Sequence, residues 1–197
     1  ALCASNQERI QRALEVAPDM ALHKKESDLI QSDLDAVVIS SPNFTHVPLA
    51  VEALKAGKHV FLEKPVGITA TECRKLLRAT QKSDRVLMIG HELRYSAYFA
   101  QIRHLIDRDA AGMPPMTWCK EFRGPFQPKS RDWIQDRRKS GGCLVDKNCH
   151  HFDLMNWWLG ARPKRVSAFG SNAVNRVISY PNQVHDHATA SWEYANG

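Results

Sequence analysis

No stretch of the 197 residues approaches the roughly 18 uninterrupted apolar positions of a membrane-spanning helix. The first residues also lack the charged, apolar and small-residue order of a secretion signal. Cysteine is scarce: five residues, an odd number, with no C-x-x-C spacing, which argues against both a disulfide framework and a paired-cysteine zinc site. The expectation is a protein of a reducing compartment, the cytoplasm, with no membrane partner. Internal repeats and low-complexity tracts are absent. The net charge is +6, but the densest basic cluster, Lys129 through Lys139, is interrupted by Asp132 and Asp136. No helix-turn-helix, RNA-binding aromatic pair or finger spacing accompanies it, so nucleic acid is not an expected partner. What remains is an ordinary globular composition, 43% hydrophobic and 24% charged, in a chain long enough for one substantial core or two small domains.

The first ninety residues alternate short apolar runs with amphipathic segments, the rhythm of a parallel sheet with crossover helices. A strand end at Ala1 to Ala4 leads to a helix over 7–16, a short strand at Met20 to Leu22 and a local helix near Asp28 to Ser32. Asp35 to Ser41 is apolar without alternation and predicts a strand covered on both faces. Pro48 suits the first turn of the next helix, which Gly57 ends. A strand over His59 to Glu63 follows, then a capping box from Thr69 to Glu72 and another buried strand at Arg85 to Gly90. Beyond Gly90 the pattern becomes α+β: a helix over 97–106, a possible strand at Thr117 to Phe122, and a helical period from Asp146 to Leu159. Antiparallel strands are expected near Lys164 to Phe169, Arg176 to Tyr180 and His187 to Tyr194. The fold class expected is α/β: a partial Rossmann-like doubly wound parallel sheet over 1–92, then an incomplete α+β domain with a mainly antiparallel open sheet over 93–197.

Lys64 stands at the carboxyl end of a parallel strand, the edge where open α/β sheets bind ligands. An ammonium placed there stabilises an alkoxide developing on a bound oxygen; the plain alternative is a solvated lysine. Asp146 and His150 are four apart, hence on one face of a helix that begins at Asp146, and a carboxylate beside an imidazole orients it for proton exchange. The plain alternative is a helix-start aspartate with a structural histidine. His151 is assigned to packing or the surface. Asp146, His150 and Asp153, with His91 or His46, are weighed as a zinc set, but their spacing matches no strong metal motif. Ser40, Ser41, Pro42 and Asn43 lie in a strand-to-helix turn that suits either a cofactor or simple capping.

The segments DAVVISSPNFTHVPLAVEALKAGKHVFLEKP at 35–65, GHELRY at 90–95 and GGCLVDKNCHHFDLMNWWLG at 141–160 occur in order and well separated. Together they resemble the glucose–fructose oxidoreductase, inositol dehydrogenase and MocA-like oxidoreductases, over nearly the whole chain. The resemblance implies hydride transfer between NAD(P) and a hydroxyl or carbonyl of a sugar, cyclitol or similar small molecule. It makes Lys64 the catalytic lysine, followed by a commonly cis Pro65, and Asp146 and His150 the rest of the catalytic set, with Asp146 orienting His150. It places Ser41, Pro42, Asn43, His46 and Glu63 against the cofactor and Arg94 near the cleft. It also implies a homo-oligomer paired through the second-domain sheet.

The departures from that pattern carry expectations of their own. Glu92 stands where asparagine is frequent, and Asn148 replaces the glycine of D-x-G-x-H. Ser5 and Asn6, with Arg9 nearby, replace an acidic ribose-binding residue and lean toward NADP over NAD. No G-x-G-x-x-G occurs, so the first strand and its phosphate cradle lie outside this sequence. The segment alone is then expected to bind dinucleotide poorly and to fold with difficulty. A sensor or scaffold of the same fold without turnover is the alternative function.

Overall fold

The computed structural model of the chain describes residues 1–110, 112–124, 126–127, 129–173 and 183–197. Two parallel sheets make up the first part. Strand β1 (Leu2–Cys3) pairs with β2 (Leu22–His23) across helix α1 (Gln7–Val16). Asn6 caps α1, its side chain accepting the Arg9 backbone N–H at 2.9 Å. After α2 (Glu26–Gln31), strands β3 (Ala36–Ile39), β4 (His59–Glu63) and β5 (Leu87–Gly90) form a parallel sheet in that order.

The crossovers are α3 (His46–Lys55) and α4 (Ala70–Gln81). Gly57 follows α3 with φ +74°, where a side chain would be strained. The Thr69 and Glu72 capping box opens α4, each side chain bonding the other's backbone N–H. The two helices pack side by side on the sheet. Ile30, Val37, Ile39, Val60 and Leu62 meet Val47, Ala50, Ala53, Leu54 and Leu76 there in one apolar cluster. The expectation that β3 is covered on both faces fails: Val37 and Ile39 are buried while Val38 is 72% exposed. Successive strand side chains point to opposite faces, and among the described residues the helices cover one of them.

The second part is α+β. Helix α5 (Ala97–Asp107) packs against α8 (Cys149–Leu159), which is preceded by the short helices α6 (Arg137–Ser140) and α7 (Cys143–Asp146). Strands β6 (Pro163–Ser171) and β7 (His187–Tyr194) pair antiparallel. Thr117 to Phe122 is not a strand; a strand exists through its ladder partner, and among the described residues this stretch has none. The helix expected from Asp146 is broken at Lys147 and Asn148, so Asp146 ends α7 and His150 lies in the first turn of α8. The expected strand at Arg176 to Tyr180 lies outside the described residues. Among the described residues no helix is long and apolar enough to cross a membrane.

Candidate active site

Because β3, β4 and β5 are parallel and in register, their carboxyl ends emerge on one edge, where they deliver Ser40, Lys64 and His91. Lys64 is half-buried, and its Nζ donates to the main-chain oxygen of Asp146 at 2.9 Å. Its own N–H donates to Glu63 Oε2 at 3.2 Å, and the Lys64–Pro65 peptide is cis. The Glu63 carboxyl lies so close to Gly90 that a Cβ there would stand 3.2 Å from it. A side chain at position 90 would therefore displace the neighbour of Lys64.

The loop after β3 is tied to this strand end by buried polar contacts. The two ring nitrogens of His46, 1% exposed, lie 2.8 Å from the carbonyl oxygens of Pro65 and Ser41. The Ser41 and Thr45 hydroxyls are 2.5 Å apart, and Thr45 donates to the Pro42 carbonyl at 2.7 Å. Asn43 reaches across the chain: its Nδ2 donates to the Ser140 carbonyl at 2.8 Å and to Asp146 Oδ1 at 2.9 Å. Ser41, Asn43 and His46 thus shape the site through contacts with protein, whereas Ser40 is exposed at the edge.

Asp146 and His150 reach the same region by different routes. Asp146 is 4% exposed; besides Asn43, its Oδ2 lies 3.2 Å from Lys147 Nζ and has no hydrogen bond. The carboxylate recorded next to His150 belongs to Glu92, whose Oε1 is 3.4 Å from His150 Nε2. The His91 ring packs edge-on against the His150 ring, with centroids 5.8 Å apart at 84°. His150 Nδ1 and His91 Nδ1 are both buried without a hydrogen-bond partner.

Burial pushes the His150 imidazole below its ordinary pKa; Glu92 opposes this, while the positive charge of Lys64 and the neighbouring His91 and His151 add to it. Burial also lowers His91, against the pull of Asp153. A neutral imidazole beside a cationic ammonium can take a proton from a hydroxyl whose oxygen the ammonium stabilises. The Cys149 thiol, next in the chain, is pushed up by burial to about 11 and is no nucleophile near neutrality.

Arg94 is engaged with protein. Its Nε and Nη2 bond both carboxylate oxygens of Asp153 at 2.6 and 2.7 Å, and its guanidinium lies over Trp157 at 5.4 Å. That fork fastens the 3-10 turn Glu92–Tyr95 to α8, so Asp153 is not available to a metal. Among the described residues no group of three His, Cys, Asp or Glu side chains is placed to hold one. Ser5, just after β1, and Arg9, in the first turn of α1, are both exposed. His151 turns the other way, 3.6 Å from Glu121, to which Asn148 also donates at 3.1 Å.

Sequence reasoning assigned no role to Ser140 or Glu92 and weighed His91 only as a metal ligand. Glu92 was visible as a departure from a family pattern; Ser140 contributes a main-chain carbonyl and leaves no sequence signal. A cavity of about 1660 Å³ lies on the flank of α8 that carries His151, between Trp118, Phe122, Phe152 and Trp192. Lys64 and His150 do not line it, and its volume exceeds the roughly 300–1,000 Å³ of ordinary small-molecule sites.

Comparison with known proteins identifies relatives. The chain is 33% identical over 147 residues to the inositol 2-dehydrogenase of Rhizobium meliloti, covering 75% of this chain and 43% of that protein. It is 30% identical over 163 residues to the myo-inositol 2-dehydrogenase of Thermotoga maritima, covering 82% and 47%. The chain therefore spans about half the length of these curated relatives. The crystal structure of an oxidoreductase domain protein from Kribbella flavida superposes with a TM-score of 0.81 at 25% identity, covering 100% of this chain and 56% of that one. The family models for an oxidoreductase NAD-binding Rossmann fold and for a GFO/IDH/MocA C-terminal domain match residues 1–91 and 99–197 respectively. With these two models matched in order along it, the chain belongs to the Gfo/Idh/MocA oxidoreductase family.

Proposed function

We propose that the complete protein is an NAD(P)-dependent dehydrogenase acting on a hydroxyl or carbonyl of a cyclitol or sugar-like polyol. Residues 1–92 are the dinucleotide part and 93–197 the substrate and pairing part. The observation that carries this reading is the hydrogen bond from Lys64 Nζ, at the end of β4, to the Asp146 main-chain oxygen at 2.9 Å, which ties the strand end to the segment that leads into α8 and His150. The inositol dehydrogenases among the relatives support the polyol class.

The residues present fit the nicotinamide end of such a cofactor. His150 Nδ1, buried without a hydrogen-bond partner, and the Asp146 carboxylate, paired with Lys147, stand with the Lys64 ammonium at the open ends of parallel strands, a polar set suited to a nicotinamide ring and a hydroxyl. No glycine-rich phosphate turn lies within these residues. The Ser40 to Asn43 loop, Glu63 and Lys64 would hold the nicotinamide side, with Ser5 and Arg9 toward the ribose. Bound there, NAD(P) supplies or accepts the hydride. Lys64 holds the reacting oxygen, His150 removes its proton and returns it in reverse, and Asp146 fixes Lys64 through its main-chain oxygen. The exposed Arg9, with no acidic residue at Ser5 or Asn6, favours NADP over NAD.

The test is hydride exchange by the full-length protein over a panel of cyclitols and sugars, with NADPH and NADH compared. Lys64→Met and His150→Asn should each lower kcat about 10²-fold or more. Near-normal turnover in both variants refutes the assignment, and dinucleotide binding without hydride exchange points to a sensor. A strong preference for NADH refutes the NADP reading.

A further inference from the structure

The carboxylate expected to steer His150 is occupied elsewhere. Asp146 Oδ1 accepts from Asn43 and Oδ2 is paired with Lys147, while its main-chain oxygen receives Lys64. Asp146 and His150 also stand on different helices, since the chain leaves helical order between α7 and α8. A second carboxylate lies at Nε2 of the imidazole instead. Glu92 Oε1 is 3.4 Å away, and its side chain is 64% exposed while that of His150 is 11% exposed. Glu92 therefore reaches from the open side of the cleft to the buried ring.

The segment that carries Glu92 is held in place independently. Arg94, two residues on, is locked to Asp153 of α8 by two bonds, and His91, one residue before, packs edge-on against the His150 ring. The turn after β5 thus grips His150 through two neighbouring residues.

We propose that Glu92 is the positioning residue for His150: its carboxylate holds the ring proton on Nε2, which leaves Nδ1, buried without a partner, as the nitrogen that takes the proton a substrate hydroxyl gives up. This rests on the dehydrogenase reading above and deepens it.

The groups around His150 divide by sign. Lys64 from β4, His91 from the end of β5 and His151 from α8, with burial, disfavour the imidazolium. The Glu92 carboxylate favours it. Without Glu92 the opposing influences are left unbalanced, and a protonated His150 becomes harder to reach. The reach is also specific: aspartate keeps the charge but is one methylene shorter, and glutamine keeps the length without the charge.

The test uses the full-length protein, with Glu92→Gln, Glu92→Asp and His150→Asn. NMR titration follows the His150 imidazole, assigned by its loss in His150→Asn, and kcat/KM is measured against pH in both reaction directions. In Glu92→Gln the His150 titration, the acid limb of the oxidation profile and the basic limb of the reduction profile should all move to lower pH. The plateau kcat should fall about tenfold, within the range of general acid–base catalysis, and Glu92→Asp should restore part of both effects. Unchanged titration and limbs in Glu92→Gln, with hydride exchange intact, overturn the proposal and leave the dehydrogenase reading standing. No hydride exchange by the wild type, with His150 still shifting in Glu92→Gln, refutes the dehydrogenase reading and supports the Glu92–His150 coupling.

Discussion

Asn43→Ala tests whether the site is held together by the contact between the loop after β3 and α7. The Asn43 amide makes two bonds across 97 and 103 residues of chain, one to the Ser140 carbonyl and one to the Asp146 carboxylate. A neutral buried hydrogen bond contributes about 1 kcal/mol and one to a charged group about 1.5–3 kcal/mol. Lys147, at 3.2 Å, still partly satisfies Asp146 in the variant, so the lower part of the combined range applies, about 3 kcal/mol. Urea unfolding of the full-length protein, followed by far-UV circular dichroism, measures it. Asn43→Asp should be worse still, because it sets a second carboxylate against the buried Asp146. A loss below about 1 kcal/mol in Asn43→Ala would refute the reasoning and leave Asn43 a cofactor contact without a structural part.

Two further outcomes are expected. Burial lowers the folded-state pKa of both His91 and His150. Below the unfolded imidazole value of about 6.5 the unfolded chain binds more protons than the folded one, so stability present above that pH is lost as pH falls. Tm should drop between pH 7 and pH 5, and His91→Phe should flatten the dependence; a flat wild-type profile contradicts the burial argument. Among the cysteines, exposed Cys119 should react with iodoacetamide at pH 8 well before Cys149, whose thiol is held up at about 11. Mass spectrometry of the modified peptides decides this, and early labelling of Cys149 would count against its burial.

Much of the first part was legible in the sequence because its elements carry local signals. The α1 span, the Thr69–Glu72 capping box and the Gly57 stop depend on residues within a few positions of one another. The parallel order β3-β4-β5 followed from apolar runs joined by helices too long for hairpins. Coverage of β3 was misjudged because composition cannot say which neighbours lie over a strand, and Val38 lies on the face that α3 and α4 leave open. The break between α7 and α8 was missed because the apolar spacing runs through it without interruption.

The sequence by itself determined that this is a parallel α/β chain with a lysine at a strand end and a histidine-bearing helix beyond it. Those properties are written in periodicity, caps and motif order. Tertiary structure decided which groups meet: that Asn43 rather than His150 takes the Asp146 carboxylate, that Lys64 binds the Asp146 main chain, and that Glu92 stands at His150 Nε2. The physical reason is range. A hydrogen bond or ion pair forms within a few ångströms, so partners separated by 58 to 103 residues, as Glu92 and His150 or Asn43 and Asp146 are, come together only once the sheet and the helices have packed.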